Sequence, residues 1–425
     1  MSEYRAYPAY KDSGVEWIGQ VPEHWKVVRV KRLASLRNER RNDVSIETIY
    51  IGLEDVEAGS GQYKPTNESS RQSEDSTVGI FYEGDVLYSK LRPYLRKAII
   101  SEMAGCCSTE FLVLRAEKTE PRWLQDLLLT PDVTHQIASG CEGAKMPRAD
   151  WWHIGSIEVV YPDQSEQAQI LTTLDRETAR IDALIEKKTR FIELLKEKRQ
   201  ALITHAVTKG LDPNVKMKDS GVEWIGQVPV HWGMKPFFAL VAELNRKNTG
   251  LVETNILSLS YGCIIQKPET RNMGLMPESY ETYQIVEPGE IVFRFTDLQN
   301  DKRSLRSAQV TQRGIITSAY MAVKPHSIAS TYFTWMMRSY DHCKVFYAMG
   351  GGLRQSLKFE DVRRLPVLIP PAEEQRDITS AINEGTARIN SLVEKTEHSV
   401  NLLKERRAAF ITAAVTGQID LRGEQ

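Results

Sequence analysis

This chain has almost no net charge. Its 55 Lys and Arg balance 56 Asp and Glu, leaving −1 over 425 residues. Bulk basicity therefore does not announce a nucleic-acid partner, and any such face must come from local clustering. Cysteine is scarce: the five are Cys106, Cys107, Cys141, Cys263 and Cys343, an odd number without CxxC spacing. That argues against a disulfide framework or a zinc knuckle and for a reducing, cytoplasmic setting. There is no run of 18 apolar residues, and the opening MSEYRAYPAYKDSG lacks a signal-peptide core. Nucleotide loops of the GxxxxGK[ST] type, a glycine-rich dinucleotide turn and HExxH are all missing. So is the amino-methyltransferase motif of Asn or Asp, two prolines and an aromatic; Pro370-Pro371 runs on into Ala-Glu. The eight histidines are scattered. The expectation is no catalytic residue, no metal site and no cofactor bound by this chain.

What the chain does have is itself, twice. KDSGVEWIGQVPEHW from Lys11 returns as KDSGVEWIGQVPVHW from Lys218, with only Glu23 and Val230 differing. EQAQI at Glu166 answers EQRDI at Glu374, and LITHAVTKGLD at Leu202 answers FITAAVTGQID at Phe410. Between these segments the halves differ almost everywhere. Fixed ends around a variable middle suit a frame that presents two different heads. Trp17, Ile18, Val21, Pro22 and Trp25, with their counterparts Trp224, Ile225, Val228, Pro229 and Trp232, read as an anchor between head and frame. His24 and His231 read as its polar members.

The frame is helical. A segment from about 165 to 208 has no proline or glycine. With Ile170 as position a of a heptad, a falls on Ile170, Glu177, Leu184, Phe191 and Lys198, and d on Leu174, Ile181, Lys188, Leu195 and Leu202, with Ile185 and Ile192 widening the stripe. The second copy places Ile382, Ile389, Thr396, Leu403 and Phe410 at d. Proline before an acidic first turn starts both helices, as YPDQSEQ at 161–167 and IPPAEEQ at 369–375. A helix of this length spans on the order of 65 Å and needs a partner; its own repeat, packed antiparallel, is the economical one.

Each head reads as α+β. Strands are predicted in IFYEGDVLYSKLRPYLRKAII (80–100) and VEPGEIVFRFTDLQNDKRSLRSAQV (286–310), and again from Ser108 and Thr317. Short helices are predicted in WLQDLLL from Trp123 and TYFTWMM from Thr331. Basic loops follow matched strands. One carries Lys90, Arg92, Tyr94, Arg96 and Lys97; the other carries Arg294, Asp297, Gln299, Asn300, Lys302, Arg303 and Arg306. A further pair of loops lies nearer the helices, with Lys145 and Arg148 in EGAKMPRAD (142–150) and Arg354, Gln355 and Lys358 in GGLRQSLKFED (351–361). Arg and Lys can read guanine, Asn and Gln adenine, and Asp can accept from cytosine. Solvated surface loops are the plain alternative for any single residue. Matched charged loops in two divergent heads strengthen the collective case.

Taken in order, these features resemble the specificity subunit of type I restriction–modification enzymes. The resemblance spans the chain and rests on the two-copy layout, VPxHW at Val21 and Val228, GDVLYSK at Gly84 and GEIVFRF at Gly289. It is completed by PxxxEQ at Pro162 and Pro370, and by LLKEKR at Leu194 and LLKERR at Leu402. It implies an α+β fold class: two mixed α/β target recognition domains separated by two long helices packed as an antiparallel coiled coil, with a pseudo-two-fold repeat. The expected boundaries are 1–163, 164–210, 211–370 and 371–425. It further implies bipartite double-stranded DNA as ligand, with two methylation subunits and restriction subunits as partners. S-adenosylmethionine, ATP and magnesium would sit on those partners. A coiled-coil scaffold for protein assembly without DNA explains the helices and the near-neutral charge, but not two divergent heads that both keep basic loops. A stand-alone nuclease or methyltransferase lacks any motif.

Overall fold

The computed structural model describes residues 5–45, 47–66, 76–141, 143, 145–267, 279–298, 305–349 and 356–423. Two compact units emerge, one of residues 1–189 with 398–425, the other of residues 190–397. The unit limits fall inside the two long helices, Gln164–Lys209 and Ala372–Val415, rather than at their ends.

In the first unit the repeated segment folds as a hairpin, Tyr10–Asp12 against Gln20–Pro22. Lys26–Arg29 then pairs antiparallel with Glu158–Tyr161, the strand that leads into the first long helix. The variable part holds two four-stranded sheets. One orders Ala34–Leu36, Phe111–Ala116, Val86–Ser89 and Ala98–Ile100, all antiparallel. The other orders Arg40–Arg41, Val78–Phe81, Gly105–Cys107 and Tyr50–Ile51, the last pair parallel. Helices Pro121–Leu128 and Pro131–Ser139 cover the first sheet and carry Trp123, Leu124 and Ile137 into a core with Trp25. That core takes in Ile170, Leu171 and Leu174 from the first long helix and Phe410, Ala414 and Val415 from the second. Asp163 starts the first long helix by accepting the Glu166 N–H at 2.9 Å, and this bond holds its carboxyl below the usual range.

The second unit repeats the plan. Met217–Asp219 pairs with Gln227–Pro229, and Gly233–Pro236 with Pro366–Ile369 before the second long helix. Val241–Leu244, Met321–Pro325, Ile291–Phe293 and Ser307–Gln309 form the equivalent antiparallel sheet. Helix Ser330–His342 packs Tyr332, Phe333, Met336 and Met337 into a core with Trp232, Ile203, Val207, Ile378 and Ile382. The expected mixed α/β character and the long helices are present.

Within each unit the halves of the two long helices run antiparallel. In the first, Arg407 Nε lies 2.9 Å from Asp182 Oδ1, and past the end of the second helix the Leu421 carbonyl accepts from Thr173 Oγ1 at 3.2 Å. In the second, Arg199 Nη1 donates to Asn390 Oδ1 at 3.0 Å, and Leu202 lies against Gly385. Asp182 and Asn390 are repeat counterparts, as are Arg199 and Arg407. The expected heptad frame needs one correction. The d residues Ile181, Lys188, Leu195 and Leu202 do turn inward, but the a residues Leu184 and Phe191 are exposed. Ile185 and Ile192, one residue on, take the inner places. One residue is about 100° of helix, so a stripe widened by Leu-Ile and Phe-Ile pairs left two faces open to choice.

Candidate nucleic-acid interface

The site is built where a central strand of each head leaves its sheet. In the first unit Val86–Ser89 runs into the loop of Lys90, whose N–H donates to the Glu110 carbonyl at 2.9 Å. The Lys90 carbonyl accepts the Ala149 N–H at 2.9 Å, and the Arg92 N–H donates to the Pro147 carbonyl at 2.8 Å. Backbone pairing thus joins the loop of Lys90 to Lys97 with the loop carrying Lys145 and Arg148, the bonded residues being more than fifty positions apart in the sequence. In the second unit the Leu357 N–H donates to the Phe295 carbonyl at 3.0 Å, which joins Arg294 and Asp297 to the loop of Lys358 in the same way.

Both crossings are strained at one place. Arg92 has φ 50° and Asp297 φ 57°, the left-handed region that non-glycine residues seldom adopt. Arg96 does the same at φ 49°. Between Arg92 and Arg96 a single 3₁₀ turn, Pro93–Leu95, holds up Tyr94, which is 55% exposed. Proline there pre-sets φ, and the turn closes by the Arg96 N–H donating to the Pro93 carbonyl at 2.8 Å.

The candidate side chains divide into two groups. Arg92, Tyr94, Lys145 and Lys358 are exposed, and Lys90 and Arg294 are half-buried; none of the six has a side-chain partner among the described residues. The others are engaged within the head. Arg96 Nη1 reaches the Leu129 carbonyl at 3.4 Å, and Lys97 Nζ donates to the Leu53 carbonyl at 2.6 Å. Arg148 Nε lies 3.1 Å from Glu110 Oε2, and that hydrogen bond raises the guanidinium pKa. Arg306 is fully buried and serves the fold. It donates to the Thr296 carbonyl at 3.0 Å, the Asp297 carbonyl at 3.4 Å and the Tyr347 hydroxyl at 3.2 Å, so it props the strained turn from inside. Gln299, Asn300, Lys302, Arg303, Arg354 and Gln355 lie outside the described residues.

Two exposed aromatics escaped sequence reasoning. Trp152 directly follows the loop of Lys145 and Arg148 and is almost fully exposed, while its neighbour Trp151 packs on the core. Tyr261 tops the hairpin of Leu257–Ser260 and Cys263–Gln266 at φ 47° and is likewise exposed. The Trp-Trp and Tyr-Gly pairs were the available signals.

The anchor resolves into a clasp. His24 Nε2 lies 2.8 Å from Glu166 Oε2, and Trp25 Nε1 donates to Glu166 Oε1 at 3.2 Å. His231 and Trp232 hold Glu374 in the same way, at 2.6 and 2.8 Å. The glutamines that follow brace the heads. Gln167 Nε2 donates to the Pro162 carbonyl at 3.1 Å, and its Oε1 accepts the Glu120 N–H at 3.2 Å. Gln375 Nε2 donates to the Pro370 carbonyl, and its Oε1 accepts the Ala329 N–H, both at 2.9 Å. The shared His-Trp and Glu-Gln letters are therefore those that fix each head to the start of the long helix that follows it.

No family model matches the chain. The type I restriction enzyme EcoDI specificity subunit of Escherichia coli is 22% identical over 205 residues, 47% of this chain and 46% of that protein. A putative type I restriction enzyme MjaX specificity subunit of Methanocaldococcus jannaschii is 20% identical over 434 residues, 95% of this chain and 96% of that protein. The chain resembles type I restriction specificity subunits. It spans about half the length of the first of these two relatives and nearly all of the second. The fold agrees. A chain from a structure concerning complex assembly and conformational transition of the type I R-M system matches with TM-score 0.63 at 15% identity, covering 93% of this chain and 98% of that one. No helix among the described residues is long and apolar enough to cross a membrane, and no group of His, Cys, Asp and Glu among them could hold a metal. All five cysteines are free thiols.

Proposed function

We propose that this chain is the DNA-reading specificity subunit of a cytoplasmic type I restriction–modification complex. Each head reads one half of a bipartite duplex target. The long helices act as the spacer that sets the distance between the halves, which for two major grooves on one face of B-DNA is roughly 34 Å. The observation that carries this reading is the repeat of one loop crossing in two heads of different sequence, each strained at the same place and each presenting exposed polar side chains. A frame kept the same while its reading loops differ is what a two-part address requires.

The chain itself performs no chemistry in this reading. S-adenosylmethionine belongs to two methylation subunits, and ATP with magnesium to restriction subunits. Docking surfaces for two like partners are supported by exposed leucines in repeat-related places: Leu184 and Leu402 in the first unit, Leu392 and Leu194 in the second. Exposed apolar side chains of this kind suit a protein partner.

Co-expression with a methylation subunit, followed by mapping of methylated adenines across the host genome, tests the reading. A bipartite motif with a fixed spacer is the expected result; methylation without a motif, or none, overturns it. The scaffold reading without DNA draws on Arg96, Lys97, Arg148 and Arg306, basic residues that serve the fold. It predicts no salt-dependent shift of duplex DNA by the complex, whereas phosphate contacts would make binding fall steeply with salt.

A further inference from the structure

The two clasps match in their own residues but differ in what covers them. In the first unit Glu166 is 7% exposed. Tyr7, itself buried, donates its hydroxyl to Glu166 Oε1 at 3.1 Å. Arg422 brings Nε to 3.5 Å of the same oxygen, and its guanidinium lies 4.7 Å over the Tyr7 ring. Leu421 is buried beside them. An aromatic ring and an arginine, from two distant parts of the chain, close the site.

In the second unit the same carboxylate lies open. The side chains of Glu374 and His231 are 37% and 44% exposed. With Leu211, Pro229, Asp377 and Ile378 they line a cavity of about 270 Å³. The cause is legible in the repeat. One passage of chain from the first long helix into the hairpin does here what two chain segments do in the first unit. By the repeat offsets, Asn214 is the counterpart of both Tyr7 and Arg422. In the repeat a single short amide, exposed and outside the cavity lining, corresponds to the first unit's ring and guanidinium.

We propose that this cavity receives an aromatic side chain with an arginine beside it, carried by a segment of the methylation subunit. The partner's identity rests on the function proposed above; the chemistry rests on the first unit, which displays the fitting occupant. Walls from Leu211, Pro229 and Ile378 suit a ring, and the Glu374 and Asp377 carboxylates suit a guanidinium. This chain's own Tyr7 and Arg422 are engaged in the first unit, so a second copy would have to break that closure to supply them. The two docking sites for the methylation subunit are then unequal, because in the first unit Tyr7 and Arg422 already cover the equivalent glutamate.

The test uses the full chain with two substitutions. Asn214→Tyr restores, at the repeat-equivalent position beside the cavity, the ring that covers the first unit's glutamate, and Asp377→Lys reverses the charge at the cavity's exposed rim. The probe is N-acetyl-tyrosyl-arginine amide, titrated while following the fluorescence of Trp232 beside Glu374, with melting curves to verify that both variants fold. The wild type should bind the probe in the millimolar range and each variant at least fivefold more weakly. Of the two binding steps of the purified methylation subunit, one should be at least tenfold weaker in both variants than in the wild type and the other unchanged. If it binds wild type and Asn214→Tyr alike, or if the wild type ignores the probe, the cavity inference falls while the proposed function stands. If it does not bind the wild type at all, the proposed function and the partner named here fall together.

Discussion

Side chains at the loop crossings carry opposite expectations although their letters look alike. Arg92→Ala and Tyr94→Ala remove exposed groups, so they should leave the melting temperature unchanged. Each should weaken binding of the first half-site or relax its sequence, with about 1–3 kcal/mol lost per good base contact. Arg96→Ala and Lys97→Ala strip donors from the Leu129 and Leu53 carbonyls, so they should lower the melting temperature. Anisotropy titrations with specific and scrambled duplexes, beside thermal melts, separate the two classes. Sequence reasoning ranked these four equally. Nothing in SKLRPYLRK tells that a left-handed turn at Arg96 will aim its guanidinium at a carbonyl inside the head. For the same reason Arg306, read as part of a basic loop, turned out to be a buried brace. A second residue-scale expectation concerns Asp341 and His342. Burial pushes the Asp341 carboxyl up to about 6, while burial and then Arg338 push the His342 imidazole down to about 4. Between pH 4 and 6 folded Asp341 keeps a proton that the unfolded chain has released, so acidification through that window stabilises the fold. Folded His342 lacks a proton that the unfolded chain binds below about 6.5, so the same acidification destabilises it. The two windows overlap and their signs oppose. Asp341→Asn should therefore steepen the loss of stability on acidification, and His342→Gln should reverse it, as read from urea midpoints at pH 4.5, 5.5 and 6.5.

Among the elements, the repeated clasp was visible as letters long before its purpose was. HW and EQ recur, but only the folded chain shows His and Trp meeting the glutamate while the glutamine meets the start of a head helix. Removing Glu166 leaves the buried Trp25 N–H and Tyr7 hydroxyl without their acceptor, at about 1–3 kcal/mol for each group. Glu374 is more open to water, so its loss should cost less. Thermal melts of Glu166→Ala and Glu374→Ala should show that order, and equal losses would contradict it. The long helices were legible in extent to within a residue or so at the first, because no proline or glycine interrupts 164–209 and the proline of YPDQSEQ precedes the start. Their seam was legible only by half. The d residues could be assigned, yet neighbouring apolar letters at 184–185 and 191–192 hid which face turns inward. In the proposed function these helices measure the spacer. Deleting one turn between Glu186 and Arg190, with a matching deletion between Glu394 and His398, should shorten the tolerated spacer or abolish methylation. Sequencing of the methylated motif checks this, and an active complex with the old spacer removes the helices from the explanation.

At the scale of the whole molecule, the proposal makes the heads exchangeable parts. Replacing residues 220–368 with those of another such subunit should change one half of the methylated motif and leave the other intact, as read by adenine mapping; a change in both halves would falsify independent reading. The division of the chain bears on its synthesis as well. The second unit, 190–397, is continuous, whereas the first is interrupted and draws Phe410, Ala414 and Val415 into its core after the whole of the second has been made. On the ribosome the later-encoded head can therefore reach its native state while the earlier one still lacks part of its core. The first head must wait with apolar surface uncovered for as long as more than two hundred residues take to emerge, about 10–40 s at ordinary elongation rates. That interval is when a nascent chain of this design most needs a chaperone, and a slowed ribosome within 190–397 would lengthen it.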